Sequence, residues 1–397
     1  MATGESPRRS GGKSPASRPG SKKKTGRAKS AAAGSRKATP GKKKTPAARP
    51  KAAKKKKPAP KKKPAAEKKV AEKKVAEKKV AGKTAVRADG AGRVEEAAVE
   101  APPVAPAPKA PPTFSPRRAD GTITIAYSPD ADDAFMFYAL KTGKVDTEDR
   151  RYELVQDEIK TLNQQAREGV YDVTAISFGA YPYLAARYLL LTCGASFGDH
   201  QGPILVARSL IRTHEVNGLT VAVPGLMTSA TLALRLWLPH ARLNLVEYPF
   251  DQVLPAVRTG RARAGVVIHE RQLTWRAENL MRIVDFGQWW GEKTEGLPLP
   301  LGANAIRRDI PEEERAKIAL DIKRSIAYGL GHREETLDYA VPFAKGLDRK
   351  TVDRYVSIYV NELALDYAER GRQSVKLFFD EALRFGFLQE AVDPQFS

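Results

Sequence analysis

"TITIAYSPDADDAFMFYAL", residues 122–140, is the stretch that decides the fold. Its first six residues place Ile123, Ile125 and Tyr127 on one side, and this period of two indicates a β-strand. The apolar residues that follow recur with the period of an α-helix: Phe135, Met136, Ala139 and Leu140. A strand that leads directly into a helix is typical of α/β proteins.

The same alternation continues beyond this stretch in two series. Residues 152–155 and 172–176 are predicted strands, and residues 159–167 and 179–186 are predicted helices. The second series has these predicted strands and helices: strands 219–223, 243–247 and 264–268, and helices 229–238 and 252–259. This order favours parallel sheets covered by helices on both faces, so the predicted fold class is α/β.

Two series of this size predict two α/β lobes. The first lobe is predicted to comprise residues 122–218 together with residues 297–397, because "LPLPLGANAIRRD" and the helical stretches after it could return to the first sheet. The second lobe is predicted to comprise residues 219–296.

Residues 1–112 have a different composition from the rest of the chain. They contain 33 Lys or Arg and 8 Asp or Glu, whereas the other 285 residues contain 35 basic and 38 acidic residues. Few large apolar side chains accompany the Lys, Ala, Pro, Gly and Ser, so this segment is predicted to be a disordered basic tail that ends in a Pro-rich linker. Two interpretations of the tail stay open: non-specific contact with nucleic acid through its lysines, or a solubilising extension or early start codon.

The single cysteine, Cys193, excludes an intramolecular disulfide and a CxxC metal site. No stretch approaches the ~20 apolar residues of a membrane span, and no secretory signal is recognisable near the start. We therefore expect a cytoplasmic protein without a membrane span. The sequence does not separate a monomer from a homodimer.

Ligands of open α/β sheets bind beyond the carboxyl ends of the strands. This rule selects four groups of residues, which would line one cleft if the two lobes face each other: residues 128–133, Ser177, residues 224–229, and His269 with Glu270.

The three aspartates of "SPDADDAF" have three interpretations. Asp130, Asp132 and Asp133 fall at the start of a predicted helix, where carboxylates cap backbone N–H groups and meet the positive end of the helix dipole. A hard-metal site would need more oxygen ligands at fixed offsets, as in a calcium loop. The third interpretation is contact with a hydroxyl or amine of a ligand.

His269 and the hydroxyls after residue 224 also have two interpretations each. His269 is either a hydrogen-bonded structural group or a base that takes a proton from carbon or a hydroxyl. Thr228 and Ser229 either cap a helix or present hydroxyls and free N–H groups to an oxygen-rich ligand. The lack of GxGxxG, Walker, GxSxG and HExxH motifs argues against nucleotide cofactors, zinc and serine-hydrolase chemistry.

Six segments, in order over about 270 residues, resemble the 1,4-dihydroxy-6-naphthoate synthase family of the futalosine route to menaquinone. They are "YSPDADDAFMFYAL" (127–140), "LNQQAREGVYDVTAISFGAYPYL" (162–184), "CGASFGDHQGPILVAR" (193–208), "VAVPGLMTSATLAL" (221–234), "GVVIHERQLTW" (265–275) and "IVDFGQWWGEKTEGLPLPLGANAIRRD" (283–309).

The resemblance implies a two-lobed fold of the type II periplasmic-binding-protein kind, used without a metal or organic cofactor. It implies a lyase that converts cyclic dehypoxanthine futalosine into 1,4-dihydroxy-6-naphthoate, beginning with abstraction of a proton. His269 matches the proton acceptor of the family. The predicted substrate contacts are those that match family positions or follow a strand end: Ser128, Asp132, Ala175, Ile176, Ser177, Thr228, Ser229 and Glu270.

This sequence departs from the family at several of these positions. Where the family opening reads Ser-Pro-Cys-Pro-Asn-Asp-Thr-Phe, this chain has Asp130, Ala131, Asp132 and Ala134, and Ala175 replaces a lysine. A substrate with a carboxylate therefore meets less positive charge here. The alternative prediction is a solute-binding protein, or a sibling enzyme of the same fold, that acts on a different small molecule.

Overall fold

The computed structural model describes residues 112–344 and 346–397. The predicted disordered tail, residues 1–112, lies outside the described residues except for Pro112. Within the described ranges, no helix combines the length and the apolar character that crossing a bilayer requires.

The strands and helices alternate as the sequence predicts over most of the chain. The strands are β1 (Ile123–Tyr127), β2 (Tyr152–Gln156), β3 (Val173–Ser177), β4 (Tyr188–Leu190), β5 (Ser196–Gly198), β6 (Ile204–Ala207), β7 (Thr220–Val223), β8 (Asn244–Glu247), β9 (Ala264–Val267), β10 (Met281–Asp285) and β11 (Leu299–Arg307). The helices are α1 (Ala131–Lys141), α2 (Ile159–Ala166), α3 (Ser229–Trp237), α4 (Val253–Thr259), α5 (Phe286–Lys293), α6 (Glu312–Gly331), α7 (Arg333–Ala340), α8 (Arg349–Tyr359), α9 (Glu362–Leu365) and α10 (Ala368–Arg384).

One predicted helix is wrong in type. Residues 179–186 were expected to form an α-helix, but Phe178–Tyr183 forms a short 3-10 helix with Pro182 inside it. Proline has no backbone N–H to donate and clashes with the carbonyl one turn earlier, so a regular α-helix does not propagate through this position.

The first sheet contains β1–β5 and β11. Its strand order is β2-β1-β3-β11-β4, and β5 pairs with β11. β1 is parallel to both β2 and β3, whereas β11 is antiparallel to β3, with Gly302 opposite Ser177. The sheet is therefore mixed and not wholly parallel as predicted, because the late strand β11 enters it in the reverse direction.

The second sheet has the order β10-β6-β9-β7-β8. β7 is parallel to β8 and β9, and β6 is antiparallel to β9. The division into lobes at residues 218 and 296 stays a prediction, and one strand bears directly on it. β6 precedes residue 219, yet it is hydrogen bonded within the second sheet.

The largest hydrophobic cluster contains residues of both sheets. Ile176 and Ala303 contribute to it from the first sheet, and Val221 and Val266 contribute from the second. A separate cluster packs α1, α6, α7 and α8 on the first sheet. Burial of apolar surface at about 25 cal/mol per Å² is the main stabilising term in such clusters. The shared cluster holds the two sheets side by side, and the carboxyl ends of β1, β3, β7 and β9 contribute to one cavity between them.

Candidate functional site

A cavity of about 690 Å³ lies between the two sheets. Eight of the nine predicted site residues line it: Ser128, Asp132, Ala175, Ile176, Ser177, Thr228, Ser229 and His269. Glu270 is buried but does not line the cavity, so its predicted contact with substrate finds no counterpart in the cavity wall.

The first wall of the cavity is the turn from β1 into α1. Asp130 caps α1, because its Oδ1 accepts a hydrogen bond of 3.2 Å from the backbone N–H of Asp133. Asp133 in turn accepts a bond of 2.8 Å from the backbone N–H of Ser128. This turn therefore caps α1, as one of the three interpretations of the aspartates predicted, and it also forms part of the cavity wall.

Asp132 occupies a different position in the cluster. Its Oδ2 accepts a hydrogen bond of 3.0 Å from the hydroxyl of Ser196, while its buried Oδ1 has no hydrogen-bond partner among the described residues. A buried carboxylate oxygen without a partner is unfavourable by about 1–3 kcal/mol or more. This oxygen is therefore available to a hydroxyl or amine of a ligand.

Burial and mutual repulsion raise the pKa values of two of the three aspartates. Burial, followed by the charge of Asp132, raises the pKa of Asp130 well above its ordinary range. Burial and the charges of Asp130 and Asp132 raise the pKa of Asp133 in the same direction. Burial also raises the pKa of Glu270. The pKa of each of these three groups therefore lies above that of an isolated carboxyl group.

His269 follows β9 and forms part of the opposite wall. Its backbone has a φ of +53°, a region that non-glycine residues seldom adopt. Nδ1 lies 2.7 Å from Oδ2 of Asp130, and the ring of Phe250 meets the imidazole edge to face at 4.7 Å. Nε2 is buried and has no hydrogen-bond partner in the described chain. An unpaired imidazole nitrogen on a cavity wall can accept a proton from a bound molecule.

Asp130, Asp132 and His269 are close enough to hold a cation, since one ligand atom from each lies within 4.8 Å of the others. Nδ1 of His269 is already engaged with Asp130, however, and Nε2 is at the far side of the ring. The three residues therefore offer fewer free ligand atoms than the four that structural metal sites use. The expectation of a site without metal stays a prediction.

Thr228 and Ser229 form the start of α3, and both hydroxyls have internal partners. Thr228 caps α3 by accepting from the backbone N–H of Thr231 at 3.3 Å. Ser229 accepts from the backbone N–H of Gly179 at 3.0 Å and donates to the carbonyl of Leu301 at 2.5 Å. A side chain on Gly179 would meet the backbone of residues 227–229 at 3.0 Å, so glycine permits this close approach. The capping interpretation holds for Thr228, and Ser229 joins segments from both sheets.

Asn163 of α2 holds the carboxyl end of β3 in place through Ser177. Asn163 donates from Nδ2 to the Ser177 hydroxyl at 3.0 Å and accepts from the Ser177 backbone N–H at 2.8 Å. Both side chains are buried. Ala175 and Ile176 lie on the same strand and also line the cavity. The side chains of β3 thus form a neutral surface in this part of the site.

Other cavity residues were not singled out from the sequence. Tyr355 and Tyr359 are one turn apart on α8, and Tyr359 accepts a hydrogen bond of 2.7 Å from Gln272. Burial, then the charges of Asp132 and Asp130, raises the pKa of Tyr355 well above 10. The i, i+4 spacing of the two tyrosines predicts only a shared helix face. They line this cavity because of where α8 packs in the fold, and no local sequence pattern predicts that position.

Comparisons with known proteins identify the family of this chain. A family model described as "Menaquinone biosynthesis" matches residues 123–384. A protein of Thermus thermophilus named 1,4-dihydroxy-6-naphtoate synthase is 38% identical over 274 residues, which cover 69% of this chain and 98% of that protein. A protein of the same name from Streptomyces coelicolor is 32% identical over 271 residues, covering 67% of this chain and 95% of that protein.

Solved structures lead to the same fold. A protein of Archaeoglobus fulgidus is 39% identical with a TM-score of 0.65, covering 68% of this chain and all of that protein. An alkanesulfonate-binding protein of Xanthomonas axonopodis has a TM-score of 0.53 at 15% identity, covering 69% of this chain and 96% of that one, and shows the fold alone. The predicted α/β fold of the periplasmic-binding-protein kind is therefore confirmed. With its relatives matched over nearly their full length, the chain belongs to the menaquinone-biosynthesis family that includes the 1,4-dihydroxy-6-naphtoate synthases.

Proposed function

We propose that this protein is a cofactor-independent lyase that converts cyclic dehypoxanthine futalosine to 1,4-dihydroxy-6-naphthoate, with His269 as the proton acceptor. One observation carries the proposal: in a member of a menaquinone-biosynthesis family, the imidazole of His269 lines the cavity between the two sheets, and its Nε2 is buried without a partner within the described ranges.

The chemistry begins with proton transfer from the substrate to Nε2 of His269. The electron pair of the broken bond then forms a new double bond as the bond to the rest of the substrate breaks, and that fragment leaves with the bonding electrons and takes the proton back from His269. Formation of an aromatic naphthoate favours the forward direction. Asp132 Oδ1 would accept a hydrogen bond from a substrate hydroxyl, and the neutral surface of Ala175 and Ile176 would face the aromatic part. A general base placed in this way contributes about 10²–10⁴-fold to a rate. A cytoplasmic setting belongs to the same proposal and is supported by the buried free thiol of Cys193.

The test is incubation of the purified protein with cyclic dehypoxanthine futalosine and chromatographic detection of the naphthoate. His269→Ala should reduce kcat at least 100-fold. His214→Ala is the matched control, because His214 is exposed in a separate 3-10 helix and should leave kcat unchanged. If the intact protein releases no naphthoate from this substrate, the proposed function is wrong.

A second candidate is binding, or turnover, of a different small molecule by the same cavity. The observation that favours it is electrostatic: the described cavity wall contains three aspartates and neither Lys nor Arg, so a carboxylate finds no fixed positive partner there. Thermal-shift measurements with the naphthoate and with cationic or polyhydroxylated solutes separate the two candidates. Stabilisation by the solutes alone would favour the second.

A further inference from the structure

The contact between Asp130 and His269 joins the two sheets across the cavity. Asp130 lies at the start of α1 after the first sheet's β1, whereas His269 follows β9 of the second sheet. Their side chains are 5% and 12% exposed, and Nδ1 is 2.7 Å from Oδ2. At this distance and burial, a hydrogen bond between an imidazole and a carboxylate is short and charge-assisted.

The carboxylate of Asp130 is held by both of its oxygens. Oδ1 accepts the backbone N–H of Asp133 at 3.2 Å, and Oδ2 faces the imidazole. Rotation of the carboxylate would break both contacts. Oδ1 must act as an acceptor because a backbone N–H can only donate. Burial and the charge of Asp132 raise the pKa of Asp130, whereas the N–H of Asp133 and the positive end of the α1 dipole favour its ionised form.

The imidazole of His269 is constrained from two further directions. Its left-handed backbone, with φ of +53°, sets the direction of the side chain, and the Phe250 ring packs at 72° to the imidazole plane. Backbone strain of this kind costs about 1–3 kcal/mol and persists where the surroundings hold it in place. With Nδ1 directed to Asp130, Nε2 is the nitrogen left without a partner in the described part of the chain.

We propose that Asp130 is a positioning residue for His269: it fixes the tautomer with the proton on Nδ1, leaves Nε2 free to accept the substrate's proton, and stabilises the imidazolium that forms. Its catalytic meaning rests on the proposed function above. Because the two residues belong to different sheets, the pair is complete only when the sheets are as close as in this structure. An opening of a few ångströms leaves His269 without its orienting partner.

Other charged or titratable groups face this pair. Asp132, Asp133, Glu270 and Tyr355 interact electrostatically with Asp130 or with neighbouring carboxyl groups. The cation Arg271 acts on Glu270. His269 is the group in direct contact with Asp130 that can carry positive charge. The imidazolium formed during turnover keeps Asp130 as its hydrogen-bond partner.

The first test reads the tautomer of His269 and needs no substrate. In ¹⁵N-labelled protein at neutral pH, with the His269 signals assigned by comparison with His269→Gln, Nδ1 should be protonated. In Asp130→Ala the neutral ring should shift to the form protonated at Nε2. A wild-type His269 that carries its proton on Nε2 alone would overturn the inference.

The second test is kinetic. Asp130→Asn keeps the size and an acceptor oxygen but removes the charge, so kcat should fall at least 100-fold while KM changes less than threefold, and the ascending limb of the kcat–pH profile should move. Asp285→Asn is the matched control, because Asp285 is also a buried aspartate that caps a helix, α5, outside this cavity. It should leave kcat and the pH profile unchanged.

The two tests keep the two proposals apart. An inactive wild-type enzyme whose His269 has the Nδ1–H tautomer would overturn the proposed function and support the pairing. An active wild-type enzyme whose Asp130→Asn variant keeps both the wild-type kcat and the wild-type pH profile would overturn the positioning role alone.

Discussion

The Ser229 hydroxyl donates a hydrogen bond of 2.5 Å to the carbonyl oxygen of Leu301, joining the start of α3 to β11 of the first sheet. The same oxygen accepts the backbone N–H of Gly179 at 3.0 Å. A single hydroxyl thus links three segments at the floor of the cavity. This position gives Ser229 a structural role beside its predicted contact with substrate.

Replacing Ser229 by alanine should lower the free energy of unfolding by about 1–3 kcal/mol, because it leaves the N–H of Gly179 and the carbonyl of Leu301 without this partner. Urea unfolding followed by circular dichroism measures the change. Ser357→Ala, which alters an exposed serine on α8, should change the free energy by less than half as much. Equal stability of Ser229→Ala and the wild type would show that the bridge contributes nothing.

The aspartate cluster should make the free energy of unfolding decrease as the pH rises above about 4. The folded-state pKa of Asp133 lies well above its unfolded value, chiefly through burial and then through Asp130 and Asp132. The native state therefore binds more protons than the unfolded state in this window, and stability falls as pH rises from about 4 through the raised pKa. Asp133→Asn removes the charge and keeps an acceptor for the Ser128 N–H, so it should be more stable than the wild type at neutral pH, with the difference shrinking toward pH 4.

Unfolding in urea at several pH values between 4 and 8 measures this dependence. Asp348→Asn supplies the opposite control, since hydrogen bonds from Thr351 lower the pKa of Asp348. Its loss should destabilise the protein at neutral pH and have less effect near pH 4. A stability difference between Asp133→Asn and the wild type that does not vary with pH would contradict the prediction.

The fold was predictable from sequence largely because its strands and helices alternate with clear periods. β1, α1 and α3 follow directly from the spacing of apolar residues, and Pro182 accounts for the one helix predicted in the wrong form. The direction of β11 was not predictable, since an apolar run has the same period whether it pairs parallel or antiparallel.

The candidate site was predictable in part for a similar reason. Strand ends converge in an α/β fold, so Ser177, Thr228 and His269 could be placed near one another from their positions after strands. The contact between His269 and Asp130 needed the relative placement of the two sheets, which no local pattern contains.

Asn163 should control the geometry of the β3 end of the site. It exchanges two hydrogen bonds with Ser177 and is 1% exposed. In Asn163→Leu the backbone N–H and the hydroxyl of Ser177 lose their partners, so the free energy of unfolding should fall by about 1–3 kcal/mol. KM for the proposed substrate should rise, because Ser177 is no longer held, while kcat falls less. Steady-state kinetics would contradict this role if KM stayed at the wild-type value.

Asp321 should be among the most sensitive positions for stability outside the cavity. It is fully buried on α6, accepts Arg150 Nε at 2.8 Å, and accepts the Tyr152 hydroxyl at 2.7 Å. Removing one partner of a buried ion pair costs about 3–5 kcal/mol. In Asp321→Ala, Arg150 keeps its 2.9 Å contact with the exposed Glu148 but loses its buried partner. Asp321→Ala should therefore lower the free energy of unfolding by this amount.

The matched control is the half-exposed pair of Arg333 and Asp353, whose loss in Asp353→Ala should cost no more than about 1 kcal/mol. Asp321 lies on α6 outside the cavity, so the folded Asp321→Ala variant should retain wild-type kcat below its melting temperature. Equal losses of stability in the two variants would mean that burial does not govern the strength of these pairs. Both substitutions remove one carboxylate from an arginine. The difference between their losses of unfolding free energy therefore measures the effect of burying Arg150.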